Sequence, residues 1–227
     1  MKINLNPVPS KKELILGILY LVFQWLFLPV IVVLTFQETL DLTRMNCMIF
    51  AVNFAVTIPI FNRFLKDSME KFRQHPGRSL YFVLKGFGLY WLGSYVLSYL
   101  ILGIDPSFSN INDATIDAMA SEDFGLMALC TVVLVPITEE LLYRGIFFGG
   151  LANRNKILAF AVSTLVFALI HITAYIGLFP PMTLLLCFLQ YIPAGIALAW
   201  AWTKSGTILT PIIMHMIINA IGIYAMR

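Results

Sequence analysis

The chain has 227 residues, of which 59% are hydrophobic and only 12% are charged, with a formal net charge of +3. A soluble domain carries about 25% charged residues, so this deficit and a mean hydropathy of +0.85 exclude an ordinary soluble domain. The basic residues are concentrated in alternate loops, as described below. The positive net charge therefore reflects membrane topology and gives no indication of nucleic-acid binding.

Apolar runs long enough to cross a bilayer recur along the whole chain. A transmembrane helix needs about 20 consecutive, mostly apolar residues. Runs of roughly this length lie at residues 14–36, 46–62, 80–103, 124–151, 157–174, 181–203 and 207–226. The second run is short and Pro193 interrupts the sixth, so the expected number is six to eight. The sequence therefore predicts an all-α fold, a polytopic membrane helix bundle of about seven transmembrane helices with its active site inside the bundle.

The distribution of Lys and Arg predicts the orientation in the membrane. Cytoplasmic loops of membrane proteins carry an excess of these residues. Basic residues occur in the N-terminal segment and in the second loop, at Lys2, Lys11, Lys12, Arg63, Lys66, Lys71, Arg73 and Arg78. The third loop, residues 103–123, is acidic and contains no Lys or Arg. We therefore expect a protein integral to the cell membrane, with a cytoplasmic N-terminus and an external C-terminus at Arg227.

The fourth apolar run contains three charged residues, Glu139, Glu140 and Arg144. A charge at the centre of a bilayer costs about 2.5–3.5 kcal/mol on insertion scales, so such residues are candidates for a functional site. Residues four apart share a helix face, which predicts an ion pair between Glu140 and Arg144. Glu139 is rotated by about 100° from Glu140 and has no partner on its own helix. It is expected to meet water, a cation or an imidazole.

Later apolar runs supply the polar groups that could meet Glu139. His171 ends the fifth run, and His215 and Asn219 lie four residues apart in the seventh. The last two therefore present an imidazole and an amide on one helix face. Pro136 precedes Glu139 by three residues, and it is expected either to free backbone carbonyls near the site or only to kink the helix.

Three motifs thus follow one another on successive segments. They are Glu139-Glu140-Leu-Leu-Tyr-Arg144, Phe167-Ala-Leu-Ile-His171 and His215-Met-Ile-Ile-Asn219. In order and spacing this set resembles the CPBP family of intramembrane proteases. That family includes the type II CAAX prenyl endopeptidases and bacterial bacteriocin-processing or self-immunity proteins, and it is also called abortive-infection-like. The resemblance covers about residues 124–222.

The resemblance implies a peptide-bond hydrolase and a role for each motif residue. Glu139 and His171 would activate a water molecule, while His215 and Asn219 would stabilise the oxyanion. The predicted ion pair favours the same choice of base, because Glu140 held by Arg144 would serve as a structural support. Residues 124–227 would then form the catalytic core and residues 1–123 a set of helices without motifs, both within one integrated membrane domain.

The cofactor stays open at this stage. Two histidines and a carboxylate, here His171, His215 and Glu139, resemble a catalytic zinc site with an open position for water. The family has been described both as metal-dependent and as glutamate-based. Neither histidine lies in a His-Glu-x-x-His pattern, so the metal-free scheme is slightly favoured.

Two non-enzymatic functions compete with the protease hypothesis. The resemblance to self-immunity proteins allows a membrane protein that binds or masks a bacteriocin target. Intramembrane carboxylates and histidines also relay protons in small transporters, although no internal duplication of spans is visible. For the protease, the expected partners are the lipid bilayer and a peptide or membrane-protein substrate, which the sequence does not identify.

Overall fold

The computed structural model describes residues 5–225, and this part of the chain contains helices, turns and loops but no strand. The predicted all-α fold is therefore confirmed. Two residues used in the orientation prediction, Lys2 and Arg227, lie outside the described residues. The orientation itself stays a prediction.

The first half of the chain forms six helices that follow one another closely. They are α1 (Lys11–Leu26), α2 (Leu28–Phe36), α3 (Leu42–Ile60), α4 (Asn62–Gln74), α5 (Pro76–Ile104) and α6 (Ile111–Glu122). Helices α1 and α2 are bent by 43° at the intervening residue, Phe27. Helix α4 lies in the basic second loop and α6 in the acidic third loop, so both predicted loops contain a helix.

Local sequence signals explain where several of these helices begin. Ser10 caps α1 in a capping box, in which its side chain accepts from the amide of Glu13 and the Glu13 carboxylate accepts from the amide of Ser10. Asp41 caps α3 and Asn110 caps α6, each accepting hydrogen bonds from amides of the first turn. These side chains satisfy amide groups that have no partner within the helix.

The second half of the chain forms the helices that carry the motifs and two helices between them. They are α7 (Phe124–Ala152), α8 (Lys156–Ile170), α9 (Pro181–Gln190), α10 (Ile192–Ser205) and α11 (Leu209–Ala225). Helices α9 and α10 meet at Tyr191, two residues before Pro193. The predicted interruption of the sixth run is thus a local break within an otherwise continuous span.

Each predicted apolar run coincides with one of these helices or helix pairs. Within residues 5–225, α3, α5, α7 and the pair α9–α10 taken as one helix are long and apolar enough to cross a membrane, and the bent pair α1–α2 gives a fifth span. The remaining two runs form shorter apolar helices, α8 and α11. At 1.5 Å per residue these reach about 22–26 Å, slightly less than a hydrocarbon core of about 30 Å. Seven crossings therefore remain a prediction for the last two runs.

The motif helices pack closely around α5 and α10. An added Cβ at Gly195 of α10 would lie 2.8 Å from the side chain of Thr164 on α8, and one at Gly86 of α5 would lie 2.7 Å from Met214 Sδ on α11. Only glycine allows the helices to approach this closely at these two points. Large apolar side chains instead cover the outside of the bundle, as at Leu34 and Leu84, where a bilayer would contact them.

Candidate active site

Helix α7 departs from α-helical geometry on both sides of Glu139. Residues Cys130–Leu134 and Glu140–Gly149 are π-helical, and the amide of Val135 donates to the carbonyl of Cys130 five residues back. Such wide turns are rare in proteins, and many of those that occur lie at functional sites. Between Cys130 and Gly149, the α-helical geometry assumed from the sequence therefore holds only for the short segment Val135–Glu139.

The proline before Glu139 has the predicted effect on a backbone carbonyl. The next donor in this widened turn is Pro136, which has no amide hydrogen, so the carbonyl of Thr131 has no donor five residues on. That carbonyl accepts a hydrogen bond from Asn219 Nδ2 at 2.9 Å. Pro136 thus creates the acceptor that ties α11 to α7 at the site.

Glu140 and Arg144 form a fully buried charged pair. Both side chains have no exposed surface, and Arg144 Nη1 lies 3.3 Å from Glu140 Oε1. The guanidinium also lies 3.7 Å from the centroid of the Phe167 ring, which is a close cation–π contact. Arg144 is therefore fixed between a carboxylate on its own helix and an aromatic ring on α8.

His215 connects both glutamates. It is 4% exposed, and its Nδ1 donates to Glu140 Oε1 at 3.1 Å. Its Nε2 lies 4.0 Å from Glu139 Oε2, and that carboxylate oxygen has no hydrogen-bond partner within residues 5–225. Because a carboxylate only accepts hydrogen bonds, Glu140 fixes the proton of His215 on Nδ1.

His171 is held by a backbone carbonyl and two aromatic rings. Its Nδ1 donates to the carbonyl of Phe167 at 2.7 Å, which leaves Nε2 as the acceptor of the neutral ring. The Phe167 ring contacts both His171 and His215 edge-on, with centroids 4.7 and 5.7 Å apart. The Tyr191 ring stacks on His171 at 4.0 Å and 23°. The imidazole therefore has a defined tautomer and orientation.

The predicted site residues line one cavity within the bundle. Its volume is about 790 Å³, and its lining includes Glu139, His171, His215 and Asn219. Glu140 and Arg144 lie behind this wall. The fold therefore brings together one carboxylate, two imidazoles and an amide on the wall of one cavity.

Helix α6 closes one end of this cavity with polar side chains. The hydroxyl of Tyr191 donates to Asp113 Oδ1 at 3.1 Å and accepts from Asn112 Nδ2 at 3.1 Å. Burial raises the pKa of Asp113, and the hydrogen bonds from Tyr191 and Asn112 oppose this shift. The acidic third loop thus holds the aromatic ring that stacks on His171.

The proposed zinc ligands do not form a metal-binding group in the described part of the chain. Within residues 5–225, no three His, Cys, Asp or Glu side chains are arranged to hold a metal ion. His215 Nδ1 and His171 Nδ1 are engaged by Glu140 and by a backbone carbonyl, and His215 Nε2 faces the Glu139 carboxylate. The Nε2 atom of each histidine is thus the nitrogen left for a metal, as in sites where the other ring nitrogen is held by a carboxylate or a carbonyl, but His171, His215 and Glu139 are not grouped as three ligands within residues 5–225.

Sequence reasoning missed several residues of this site. Phe167 has no role in the sequence analysis beyond beginning the second motif, yet it contacts three of the polar residues. Tyr191 and α6 were not considered, although the Pro193 break and the acidic loop were visible signals. Tyr143 lies within the first motif and its hydroxyl lines the cavity wall, but nothing in the sequence distinguished it from a core aromatic residue.

Comparison with known proteins supplies an independent finding. Residues 121–221 match the family described as Rce1-like, type II CAAX prenyl endopeptidase Rce1-like. This range contains Glu139, His171, His215 and Asn219, and it confirms the resemblance found over residues 124–222.

Two curated relatives share part of the chain. "UPF0177 protein YxdF" of Lactococcus lactis subsp. lactis (strain IL1403) is 28% identical over 144 residues, which cover 59% of this chain and 75% of the relative. "Putative membrane peptidase YdiL" of Bacillus subtilis (strain 168) is 26% identical over 124 residues, which cover 54% of this chain and 45% of the relative. No solved structure matches the chain.

Proposed function

We propose that this chain, which carries a domain of the Rce1-like type II CAAX prenyl endopeptidase family at residues 121–221, is an intramembrane endopeptidase. It would hydrolyse a peptide bond in a hydrophobic or membrane-associated peptide or protein. The observation that carries the proposal is the Glu139 carboxylate, which lines the cavity together with His171 and His215. Its buried Oε2 has no hydrogen-bond partner within residues 5–225 and lies 4.0 Å from His215 Nε2. A relative named as a membrane peptidase supports the same reaction class.

Glu139 and His171 are the groups that would activate water. Glu139 Oε2 is free to accept a proton, and the Phe167 carbonyl leaves His171 Nε2 as a second acceptor. The water oxygen would attack the peptide carbonyl carbon while its proton passes to Glu139. The same proton would then pass to the leaving amine nitrogen as the C–N bond breaks, so Glu139 acts first as base and then as acid.

His215 and Asn219 are the groups that would stabilise the oxyanion. Asn219 Nδ2 has a second hydrogen besides the one donated to Thr131. His215 could donate from Nε2 only when both ring nitrogens are protonated, and the Glu140 carboxylate at 3.1 Å is the counter-charge for that state. In a well-studied protease one such donor is worth roughly 3–4 kcal/mol of transition-state stabilisation.

The proposed reaction is tested by identifying the new N-termini that cleavage creates in membrane proteins. Membranes from cells lacking the protein are incubated with purified wild type, with Glu139→Ala or with His171→Ala, and new N-termini are identified by mass spectrometry. We expect peptides cut within or beside hydrophobic segments only with the wild type. Both variants cutting like the wild type, or no cleavage with any of the three proteins, would contradict the protease proposal.

Metal dependence is a separate prediction. The wild type is expected to keep its cleavage rate after dialysis against a chelator, with zinc measured in the same sample well below one ion per chain. The ligand geometry is the reason, because His215 Nε2 and Glu139 face each other and no third ligand joins them within residues 5–225. Stoichiometric zinc whose removal abolishes activity and whose return restores it would establish the metalloprotease scheme instead.

Tyr191 is predicted to position His171 through its ring more than through its hydroxyl. Tyr191→Phe keeps the stacked ring and loses the bonds to α6, so we expect a loss of about fivefold in kcat, the equivalent of one net hydrogen bond of roughly 1 kcal/mol. Tyr191→Ala removes the stack, and a misplaced imidazole can cost about 10²-fold. Steady-state kinetics on one cleaved peptide measure both. Equal losses of kcat in the two variants would show that the stacked ring does not contribute to catalysis.

A further inference from the structure

Tyr143, a residue that lines the cavity, has a hydroxyl whose proton is oriented by its neighbours. Tyr143 is 5% exposed and lines the cavity together with Glu139, which precedes it by four residues. Its oxygen accepts hydrogen bonds from Gln24 Nε2 at 3.1 Å and from Trp25 Nε1 at 3.3 Å. A tyrosine hydroxyl has two acceptor positions and one proton. Both acceptor positions are filled, so the proton is left to donate to another group.

Gln24 offers the complementary acceptor beside this donor. Its side chain is 7% exposed and lines the same cavity. The Oε1 atom of Gln24 is buried and has no hydrogen-bond partner within residues 5–225. Buried polar atoms are nearly always paired, so an unpaired amide oxygen on a residue that lines the cavity points to a partner that the chain itself does not supply.

The bend between α1 and α2 places this pair next to the predicted base. Gln24 and Trp25 lie in the last turn of α1, and Pro29 of α2 also lines the cavity. The contacts of Gln24 and Trp25 with Tyr143 join this bend to the π-helical segment that follows Glu139. An acceptor from α1 and a donor from α7 therefore lie side by side on the wall that carries Glu139.

We propose that Gln24 and Tyr143 form a subsite for one peptide group of the substrate, adjacent to the bond that is cut. Gln24 Oε1 accepts from a substrate amide N–H, and Tyr143 Oη donates to a substrate carbonyl. This inference rests on the proposed endopeptidase function.

The chemistry of the pair selects a neutral amide over a charged group. A carboxylate would be repelled by Gln24 Oε1, and an ammonium group would leave the Tyr143 proton without an acceptor. A peptide group supplies one donor and one acceptor and satisfies both atoms. A transmembrane substrate must also unwind around the bond to be cut, and its freed backbone groups then need partners inside the membrane.

The first arm of the test compares protein variants on one peptide that the wild type cleaves. Tyr143→Phe and Gln24→Met are expected to lower kcat/KM by about tenfold each, as expected for one hydrogen bond in a buried site. Tyr20→Phe is the matched control. Tyr20 is also a buried tyrosine, and its hydroxyl donates to Asn53 Oδ1 at 2.8 Å, but it does not line the cavity. The control is expected to cleave like the wild type.

The second arm replaces one backbone amide of the peptide at a time by an ester, which removes the N–H. One ester near the cut is expected to slow the wild type by about tenfold and to have almost no effect on Gln24→Met, because coupled groups are not additive. A merely structural role of Gln24 would leave every ester effect unchanged in the variant. That result, or Tyr143→Phe matching the wild type, overturns the subsite while leaving the protease function intact. Absence of any cleavage by the wild type overturns both proposals.

Discussion

Glu139→Gln is expected to lower kcat by about 10²–10⁴-fold, the usual contribution of a positioned general base. Glutamine fills nearly the same volume as glutamate, so the cavity and KM should change little. It cannot accept a proton from water, and the activating step is lost. Glu139 Oε2 has no hydrogen-bond partner within residues 5–225, so no structural bond is removed by the substitution. Kinetics on a cleaved peptide measure the loss of catalysis, and thermal unfolding of the same sample measures any change in stability.

Glu140→Gln is the matched control on the neighbouring residue. Glu140 Oε1 contacts both Arg144 and His215, so its replacement should lower the thermal stability, whereas Glu139→Gln should leave stability unchanged or raise it. Functional carboxylates commonly have this relation between activity and stability. The proposed roles of the two glutamates would be wrong if the Glu139→Gln protein cleaved at the wild-type rate, or if it unfolded as easily as the Glu140→Gln protein.

The grouping of the polar residues could be predicted because isolated polar groups are costly in a bilayer. Glu139, His171, His215 and Asn219 lie on three separate helices, yet all of them line one cavity. Their polarity, order and spacing were therefore enough to predict that these four side chains meet within the bundle. The overall all-α architecture followed from the apolar runs for the same reason.

The pairing within the group could not be predicted from the sequence. Helical spacing joins Glu140 to Arg144, but it says nothing about groups on another helix. The structure places His215 of α11 3.1 Å from Glu140 and 4.0 Å from Glu139, whereas the sequence suggested His171 as the partner of Glu139. These distances depend on the relative depth and rotation of α7 and α11, which no local pattern encodes. The π-helical turns add further rotation that a period of 3.6 residues does not include.

The environment of His171 was also beyond sequence reasoning. Tyr191 and Asp113 are separated by 78 residues along the chain, and their hydrogen bond forms only because α6 folds against the cavity that Tyr191 also lines. An acidic loop between two spans is usually a solvated connection, and its charge alone gave no reason to place it at the site.

Arg144→Met is expected to destabilise the protein by about 3–5 kcal/mol, the usual effect of removing one partner of a buried ion pair. The Arg144 and Glu140 side chains have no exposed surface, so the buried Glu140 carboxylate would lose its cationic partner and keep the hydrogen bond from His215 Nδ1. The contact of the guanidinium with the Phe167 ring at 3.7 Å would also be lost. The free energy of reversible unfolding in mixed micelles measures the effect. The stability of Arg144→Lys should lie between those of the wild type and Arg144→Met, because an ammonium group keeps the charge but lacks the planar face that stacks on the ring.

The double variant Glu140→Gln, Arg144→Met distinguishes a coupled pair from two separate buried groups. Removing both charges leaves no uncompensated ion, so the double variant should be less destabilised than the sum of the two single variants, by about 1–3 kcal/mol. His215 would then lose the anion at its Nδ1, and cleavage should remain low even where folding is restored. Additive destabilisation would mean that Glu140 and Arg144 do not stabilise each other. Wild-type cleavage by the double variant would show that the orientation of His215 does not depend on Glu140.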